Sequence, residues 1–463
     1  MSSFFLKNKP KASKKRKQEA TKSSKAPKQL KKTNHSKDDE EIDSDDAFDS
    51  GEGEGGGTNQ NYLSDEEIPE TAQDKRLRLA KKYLEEIEKE EKSRAEDKEV
   101  YDHVSHRLQE EYLESVGKLR RQIAGSIVGY SKDKVLKHKK QYLPITALAL
   151  TSDGKFLFTG AKTQHVIKWD LATLRPMGSF DVQPHTEDPD RGISRRSHVI
   201  AMCLSTDSKF LALAEGGNNI QIWCPQELKH LKTFKGHRDV VTALVFRKDT
   251  HELYSGSKDR SVKIWSVDEM AYIESLFGHQ AHVTGIDALS RERAITSGGI
   301  DCSLRIWKIT EESQLIYNGH RGSIEGVKFI NDENFVSCGN DGSLCLWSAL
   351  KKKSLVTQPT VHGLQTNGEA NWISALAVVV NTDLIASGSC DGFIRLWQMS
   401  DNGRKLTQIL EIPVPGFVNS LTFSSDGLKL IAGIGQEHRL GRWWRIKDSK
   451  NQVLIIDLKT NTS

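Results

Sequence analysis

From about residue 133 onward, short apolar runs alternate with turn residues at strand length. Ile145–Leu150 is followed by Ser152-Asp153-Gly154, and Val199–Leu204 is followed by a second run at 210–214. Runs of this length, bounded by Gly, Asp and Ser, read as strands joined by tight turns. The pattern ahead of them is different. Leu77, Ala80, Leu84 and Ile87 recur at three- and four-residue steps, and Val100, Val104, Leu108, Tyr112, Val116, Leu119 and Ile123 repeat that spacing. This predicts two amphipathic helices with a narrow apolar stripe in heavily charged surroundings. Such helices gain most of their stability by packing on something else, either a partner or the strand region that follows.

The strand region is a repeat. Trp169, Trp223, Trp265, Trp307, Trp347, Trp397 and Trp444 follow one another at gaps of 54, 42, 42, 40, 50 and 47 residues. Three central copies carry four residues each in addition to the spacing. His237, Ser255, Asp259 and Trp265 form the first set; His279, Ser297, Asp301 and Trp307 the second; His320, Ser337, Asp341 and Trp347 the third. A period of 40–45 residues with Gly-His near the start and Trp near the end is the WD-repeat signature, four strands per blade of a propeller. In this repeat the Asp of a tight turn meets the His, the His meets the Ser hydroxyl, and the hydroxyl meets the indole N–H, so each buried polar group has a partner. A Ser-His-Asp set recurring in blade after blade is a device of the fold and not a catalytic triad.

The copy ending at Trp397 keeps Ser387 and Asp391, with His362 as the expected partner. Thr163 and Gly217 stand where the first two copies would have Asp. Using every Trp marker gives seven blades. The fold class is therefore all-β, a seven-bladed propeller over 131–463, preceded by charged amphipathic helices at 69–130 and a tail at 1–68. Either the stretch around Lys134-Val135-Leu136 or the one around Gln452–Ile456 must supply the outer strand of the last blade, because an open ring exposes its edges. The polar stretch 184–196, rich in Asp and Arg, reads as a surface loop.

Composition fills in the ends. The chain is 36% hydrophobic and 28% charged with a formal net charge of +4, but the charge is segregated. Residues 7–32 hold twelve Lys/Arg and one acidic residue, and residues 38–54 hold ten Asp/Glu and no base, so this tail is expected to be disordered. Lys14, Lys15, Arg16 and Lys17, followed by Lys31 and Lys32, have the form of a two-part nuclear import signal or of a generic basic tail. Ser44, Ser50 and Ser64 lie in acidic surroundings that suit phosphorylation, and Ser64 also fits a helix cap. There is no secretory signal and no apolar run of membrane length, so an intracellular, soluble protein is expected, and the basic clusters point to the nucleus. Cys203, Cys224, Cys302, Cys338, Cys345 and Cys390 form no CxxC pair and read as reduced core filler. His103 and His106 lack a third ligand, so no metal and no cofactor is assigned.

One turn abandons the repeat. Before the last Trp marker the chain reads Gly435-Gln436-Glu437-His438-Arg439-Leu440-Gly441-Arg442-Trp443-Trp444-Arg445-Ile446-Lys447, a turn expected to be one or two residues longer than its counterparts. One Trp should mark the blade, leaving the other spare beside three arginines. Arginine offers phosphate forks and stacking planes, and an exposed indole stacks on a base, which together suit RNA with unpaired bases. His438, Arg439, Arg442, Trp443 and Arg445 are thus the candidate RNA-binding residues. The competing reading makes both indoles core and pairs the arginines with Glu437 or Asp448.

The stretches at 70–86 (ETAQDKRLRLAKKYLEE), 237–265 (HRDVVTALVFRKDTHELYSGSKDRSVKIW) and 435–447 (GQEHRLGRWWRIK) closely resemble the WD-repeat family specific to the U3 small nucleolar ribonucleoprotein. That resemblance runs from about residue 70 to the C-terminus. It implies a propeller that recognises the box B/C region of U3 small nucleolar RNA alongside a small kink-turn-binding protein and other box C/D core proteins. It also implies work with small-subunit processome proteins in pre-ribosomal RNA processing. The alternative is a scaffold or adaptor with no RNA role. A ubiquitin-ligase receptor would show Trp-Asp-x-Arg after a blade, whereas the nearest match here is Trp169-Asp170-Leu171-Ala172. No phosphate-binding Gly loop, metal constellation or isolated nucleophile with a base points to an enzyme.

Overall fold

The computed structural model describes residues 78, 81–85, 87, 107–109, 112–113, 120–182, 198–365, 367–400, 403–441 and 444–461. All belong to one compact unit, Arg76–Ser463. The import residues Lys14, Lys15, Arg16, Lys17, Lys31 and Lys32, the serines Ser44, Ser50 and Ser64, the pair His103 and His106, the stretch 184–196, and Arg442 and Trp443 lie outside the described residues.

Seven four-stranded antiparallel sheets follow one another along the chain. Blades 1 to 6 cover 145–181, 199–234, 241–277, 283–318, 324–358 and 375–413, each with its strands in sequence order. Blade 7 takes Phe417–Phe423, Lys429–Gly435 and Gln452–Thr460 from the end of the chain and its outer strand, Ile127–Leu136, from the beginning. Both candidate closing stretches therefore belong to this blade, as neighbours: Lys134 pairs with Ile455 and Leu136 with Val453. The boundary expected at 131 falls inside that outer strand. The described residues from Arg121 onward already touch the ring, where Arg121 bridges to Thr382 and Asp383 accepts the backbone N–H groups of Ile123 and Ala124. In the expected helical region, residues 78, 81–85, 87, 107–109 and 112–113 are helical; Ile87 is buried, while Leu84 and Tyr112 are exposed.

Burial explains why these runs pack as blades. The second strand of blade 2, Leu211–Glu215, is buried throughout, whereas its outer strand, Lys229–Phe234, is mostly exposed. Seams between blades are apolar: Ala212 and Ile222 of blade 2 pack with Leu244 and Trp265 of blade 3, and Ile431 and Val453 of blade 7 pack with Ile145 and Trp169 of blade 1. Around the central channel, hydroxyls stitch one blade to the next. Thr146 donates to the Val199 carbonyl, Thr242 to Val283, Thr284 to Ile324 and Ser374 to Val418. Each such bond contributes about 1 kcal/mol.

The polar relays sit behind these strands. In blade 3, His237 lies 2.9 Å from Asp259 and 2.8 Å from Ser255, and the Trp265 indole donates to the same hydroxyl at 2.8 Å. Burial alone would raise the Asp259 carboxyl, but hydrogen bonds from His237, Ser261 and backbone amides outweigh it and hold the group well below its ordinary value. Blade 5 joins His320, Asp341, Ser337 and Trp347 in the same way, and blade 6 joins His362, Asp391, Ser387 and Trp397.

Blade 4 corrects one assignment. The hydroxyl that meets His279 and Trp307 belongs to Thr296, at 2.7 and 2.8 Å, and not to Ser297, which bonds Thr284. Counting back from Trp307 misses this because the turn from Thr296 to Asp301 holds one residue more than the turn from Ser255 to Asp259. The two decayed blades satisfy their indoles differently. Trp169 donates to Thr159, which Gln141 supports; Trp223 donates to Gln221, which in turn bonds Glu215. Burial pushes the Glu215 carboxyl up to about 7, with Asn219 acting against it.

Candidate nucleic-acid interface

The two inner strands of blade 7 reveal what became of its relay. Leu430 pairs with Ile456, as Leu253 pairs with Trp265 in blade 3, and Ala432 pairs with Leu454, as Ser255 pairs with Lys263. Ile456 thus stands at the Trp position and Ala432 at the hydroxyl position. Neither Trp443 nor Trp444 is the blade marker. Both precede the strand Gln452–Thr460, in the connection 436–451, where blade 3 needs only 258–260. The spacing of 47 residues to Trp444 imitates a regular blade, and a long inserted loop causes the imitation.

The loop is anchored from both ends. Gln436 takes a hydrogen bond from the Ile446 backbone and gives one to the Ser449 carbonyl, and Glu437 bridges to Arg445. Ser449 returns close to the start of the blade, where Gly416 has φ +119° and a Cβ would sit 2.3 Å from the Ser449 hydroxyl. No residue with a side chain fits there without displacing the loop. Asn419 holds the middle: its amide donates to the Glu437 carbonyl at 3.0 Å, and its oxygen accepts the Arg439 N–H at 2.9 Å. In other blades its position along the first strand carries the stitching hydroxyl of Thr146, Thr242, Thr284 or Ser374. Aligning the blades on those residues would have marked Asn419 as a departure, along with Ile200 in blade 2 and Glu325 in blade 5.

These anchors sort the candidate residues. His438 is 1% exposed, stacked on Trp372 and edge-on to Phe417. Burial, with Arg439 and Lys162 nearby, lowers its pKa to about 3. Its Nδ1 accepts the Leu440 N–H at 3.3 Å, which fits a neutral ring. His438 is a plug and not the exposed contact expected from its neighbours; an inward turn beside Trp372 was not legible from the loop sequence. Arg439 is half-buried and points across the channel mouth, its guanidinium 3.5 Å from the Glu325 carbonyl. Together with Thr146, Thr242, Thr284, Glu325 and Asn419 it lines a central cavity of about 180 Å³. Burial raises the Glu325 carboxyl above its ordinary value, and Arg439 opposes that rise. Beneath the loop, Lys162 donates to the Gly441 carbonyl at 3.0 Å and lies 3.6 Å from buried Glu437.

What faces solvent is the far half of the loop. Trp444 is 38% exposed with its edge against Phe417, so the indole is seated and not buried. Arg445 is exposed, and its guanidinium is steadied by the Gln436 side-chain oxygen at 2.7 Å. Residues 436–451 hold five Lys/Arg against two Asp/Glu, a net charge of +3 with His438 neutral. A rigid base, an exposed indole and a local positive field are what a nucleic-acid contact requires.

Fold and repeat define a WD-repeat propeller, and the WD domain, G-beta repeat family matches residues 228–266, 271–308, 311–348 and 360–398. U3 small nucleolar RNA-interacting protein 2 of Homo sapiens is 50% identical over 400 residues, 85% of this chain and 83% of its own length. Ribosomal RNA-processing protein 9 of Saccharomyces cerevisiae is 24% identical over 333 residues, 65% of this chain and 55% of its own. A solved structure described as U3-55K superimposes with a TM-score of 0.66 at 46% identity, covering 70% of this chain and 98% of that one. The chain belongs to the U3 small nucleolar RNA-interacting WD-repeat family.

Proposed function

We propose that this chain is a non-enzymatic component of the U3 small nucleolar ribonucleoprotein, that its propeller binds the box B/C region of U3 small nucleolar RNA, and that it supports pre-ribosomal RNA processing for the small subunit in the nucleolus. The observation that carries this reading is the blade 7 loop. On a chain 50% identical to a U3 RNA-interacting protein, the connection that departs most from the repeat is basic, anchored and carries an exposed indole. Arg442, Trp443 and Arg445 remain the assigned contacts, joined by Trp444, while His438 and the backbone of Arg439 hold the loop in shape. A kink-turn-binding protein, other box C/D core proteins and small-subunit processome proteins are the partners this role implies. The clusters Lys14–Lys17 and Lys31-Lys32 serve nuclear entry.

Crosslinking the tagged protein to RNA in cells and sequencing what is attached tests the reading. U3 RNA should dominate, and should be lost in a folded Arg442→Glu/Arg445→Glu variant. A spread of RNAs with no single abundant species would favour the adaptor reading instead. Changing the six import residues to Ala should slow nuclear entry and leave binding in vitro intact.

A further inference from the structure

Beside the loop, a second cavity of about 380 Å³ opens at the channel mouth, and Lys258, Arg260, His282, Arg439 and Leu440 line it with Asp239. Three permanent cations face one carboxylate here, and Asp239 is partly engaged by the backbone N–H of Val240 at 2.7 Å. Among the described residues, no carboxylate pairs with the side chain of Lys258 or Arg260. Elsewhere on the ring such pairing is common: Arg247 bonds Glu252, Arg291 meets Asp332 and Lys328 meets Asp287. The Arg439 Nε–H is buried with no partner among the described residues and one terminal nitrogen lies 3.5 Å from the Glu325 carbonyl, so Arg439 borders the cavity chiefly as a positive charge. Arg260 is held at φ +69° in its turn, a conformation with a cost that fixes the direction in which the residue leaves the backbone.

The walls differ in kind. Lys258 and Arg260 offer donors suited to phosphate oxygens, whereas Ala281, the half-buried imidazole of His282 and the exposed side chain of Leu440 offer flat or apolar surface. The volume falls within the range of small-ligand sites and suits one nucleotide. Single-stranded RNA is read where bases are splayed out and laid against such surfaces. We infer that this cavity receives one unpaired nucleotide of the bound RNA, its phosphate held by Lys258 and Arg260 and its base lodged between His282 and Leu440. The inference rests on the RNA-binding reading above and names a subsite that blades 3 and 4 build with the blade 7 loop.

The test uses the full chain and a box B/C transcript of U3 RNA carrying photoreactive uridine at its unpaired positions. Crosslinks should map to peptides containing His282 or Leu440. Lys258→Ala/Arg260→Ala should weaken binding on the order of tenfold and flatten the salt slope by about 0.7–0.9, one lost phosphate contact, without lowering the melting temperature. If Arg442→Glu/Arg445→Glu abolishes binding while the Lys258/Arg260 variant binds normally and crosslinks fall elsewhere, the subsite is wrong and the loop reading stands. If neither variant changes binding, both fall. Loss of the crosslink on adding a free nucleoside monophosphate, with RNA affinity unchanged, would assign the cavity to a soluble nucleotide and overturn the RNA subsite.

Discussion

The imidazole of His438 lies on the indole of Trp372, ring centroids 4.6 Å apart and planes inclined by 22°. The loop that offers Trp444 and Arg445 to solvent is thus pinned at its base by a histidine that must stay neutral.

A pH dependence follows. The folded-state pKa of His438, about 3, lies below its ordinary value of 6.5, so the unfolded chain binds more protons between these limits. Stability from this group is fully present above pH 6.5 and is lost as pH falls through that value toward 3. At pH 5 the loss is about 2 kcal/mol. His438→Phe keeps a stacking ring and removes the titration. The wild-type melting temperature should therefore fall more steeply than that of the variant between pH 7.5 and pH 5; parallel curves would mean that His438 titrates normally.

Thr296 and Ser297 exchange the roles their positions suggest. Thr296→Ala leaves the Trp307 indole and His279 without their shared hydroxyl, a loss of about 2–3 kcal/mol in denaturant unfolding. Ser297→Ala breaks the bond with Thr284 and should cost about 1 kcal/mol. The reverse order would restore the assignment made by counting from Trp307.

Removing the outer strand of blade 7 tests ring closure. A chain that begins at Lys137 exposes the edge of Gln452–Thr460 and should aggregate or melt without cooperativity, whereas one that begins at Arg120 should melt like the full chain. Light scattering and calorimetry separate the two.

Asn419 shapes the interface without belonging to it. Asn419→Ala removes both clamps on the loop backbone, so trypsin should cut between Arg439 and Lys450 faster, and RNA affinity should drop several-fold. An unchanged cleavage rate would show that the strands on either side suffice to hold the loop.

Blades 3 to 6 were legible because their relays need particular side chains at fixed intervals, and a buried indole N–H without a partner is costly. Counting worked wherever the turn before Asp kept its length, and it slipped by one residue at Thr296, where the turn grew. In blade 7 it failed, because Ile456 and Ala432 remove donor and acceptor together and so leave no polar signature. Gln141 and Gln221 were invisible for a related reason: each meets an indole-hydroxyl need from a position the repeat does not use. The basic, aromatic character of the loop could be read directly. Which of its residues turn inward depends on Trp372, Asn419 and Lys162, which come from distant parts of the chain, and no local pattern carries that information.

The bond between Lys134 and Asp457 joins residues 323 positions apart. During synthesis the strand Ile127–Leu136 leaves the ribosome long before its neighbour Gln452–Thr460 exists, and pairing over such a separation is slow. Its lysines at 132 and 134 discourage pairing with other chains while it waits. The ring closes only when the last strand arrives, so a chain stopped anywhere before residue 452 never completes the blade that carries the loop. Synthesis through residue 460 is thereby a condition for presenting that surface at all, and chains stopped short of it cannot compete for what it binds.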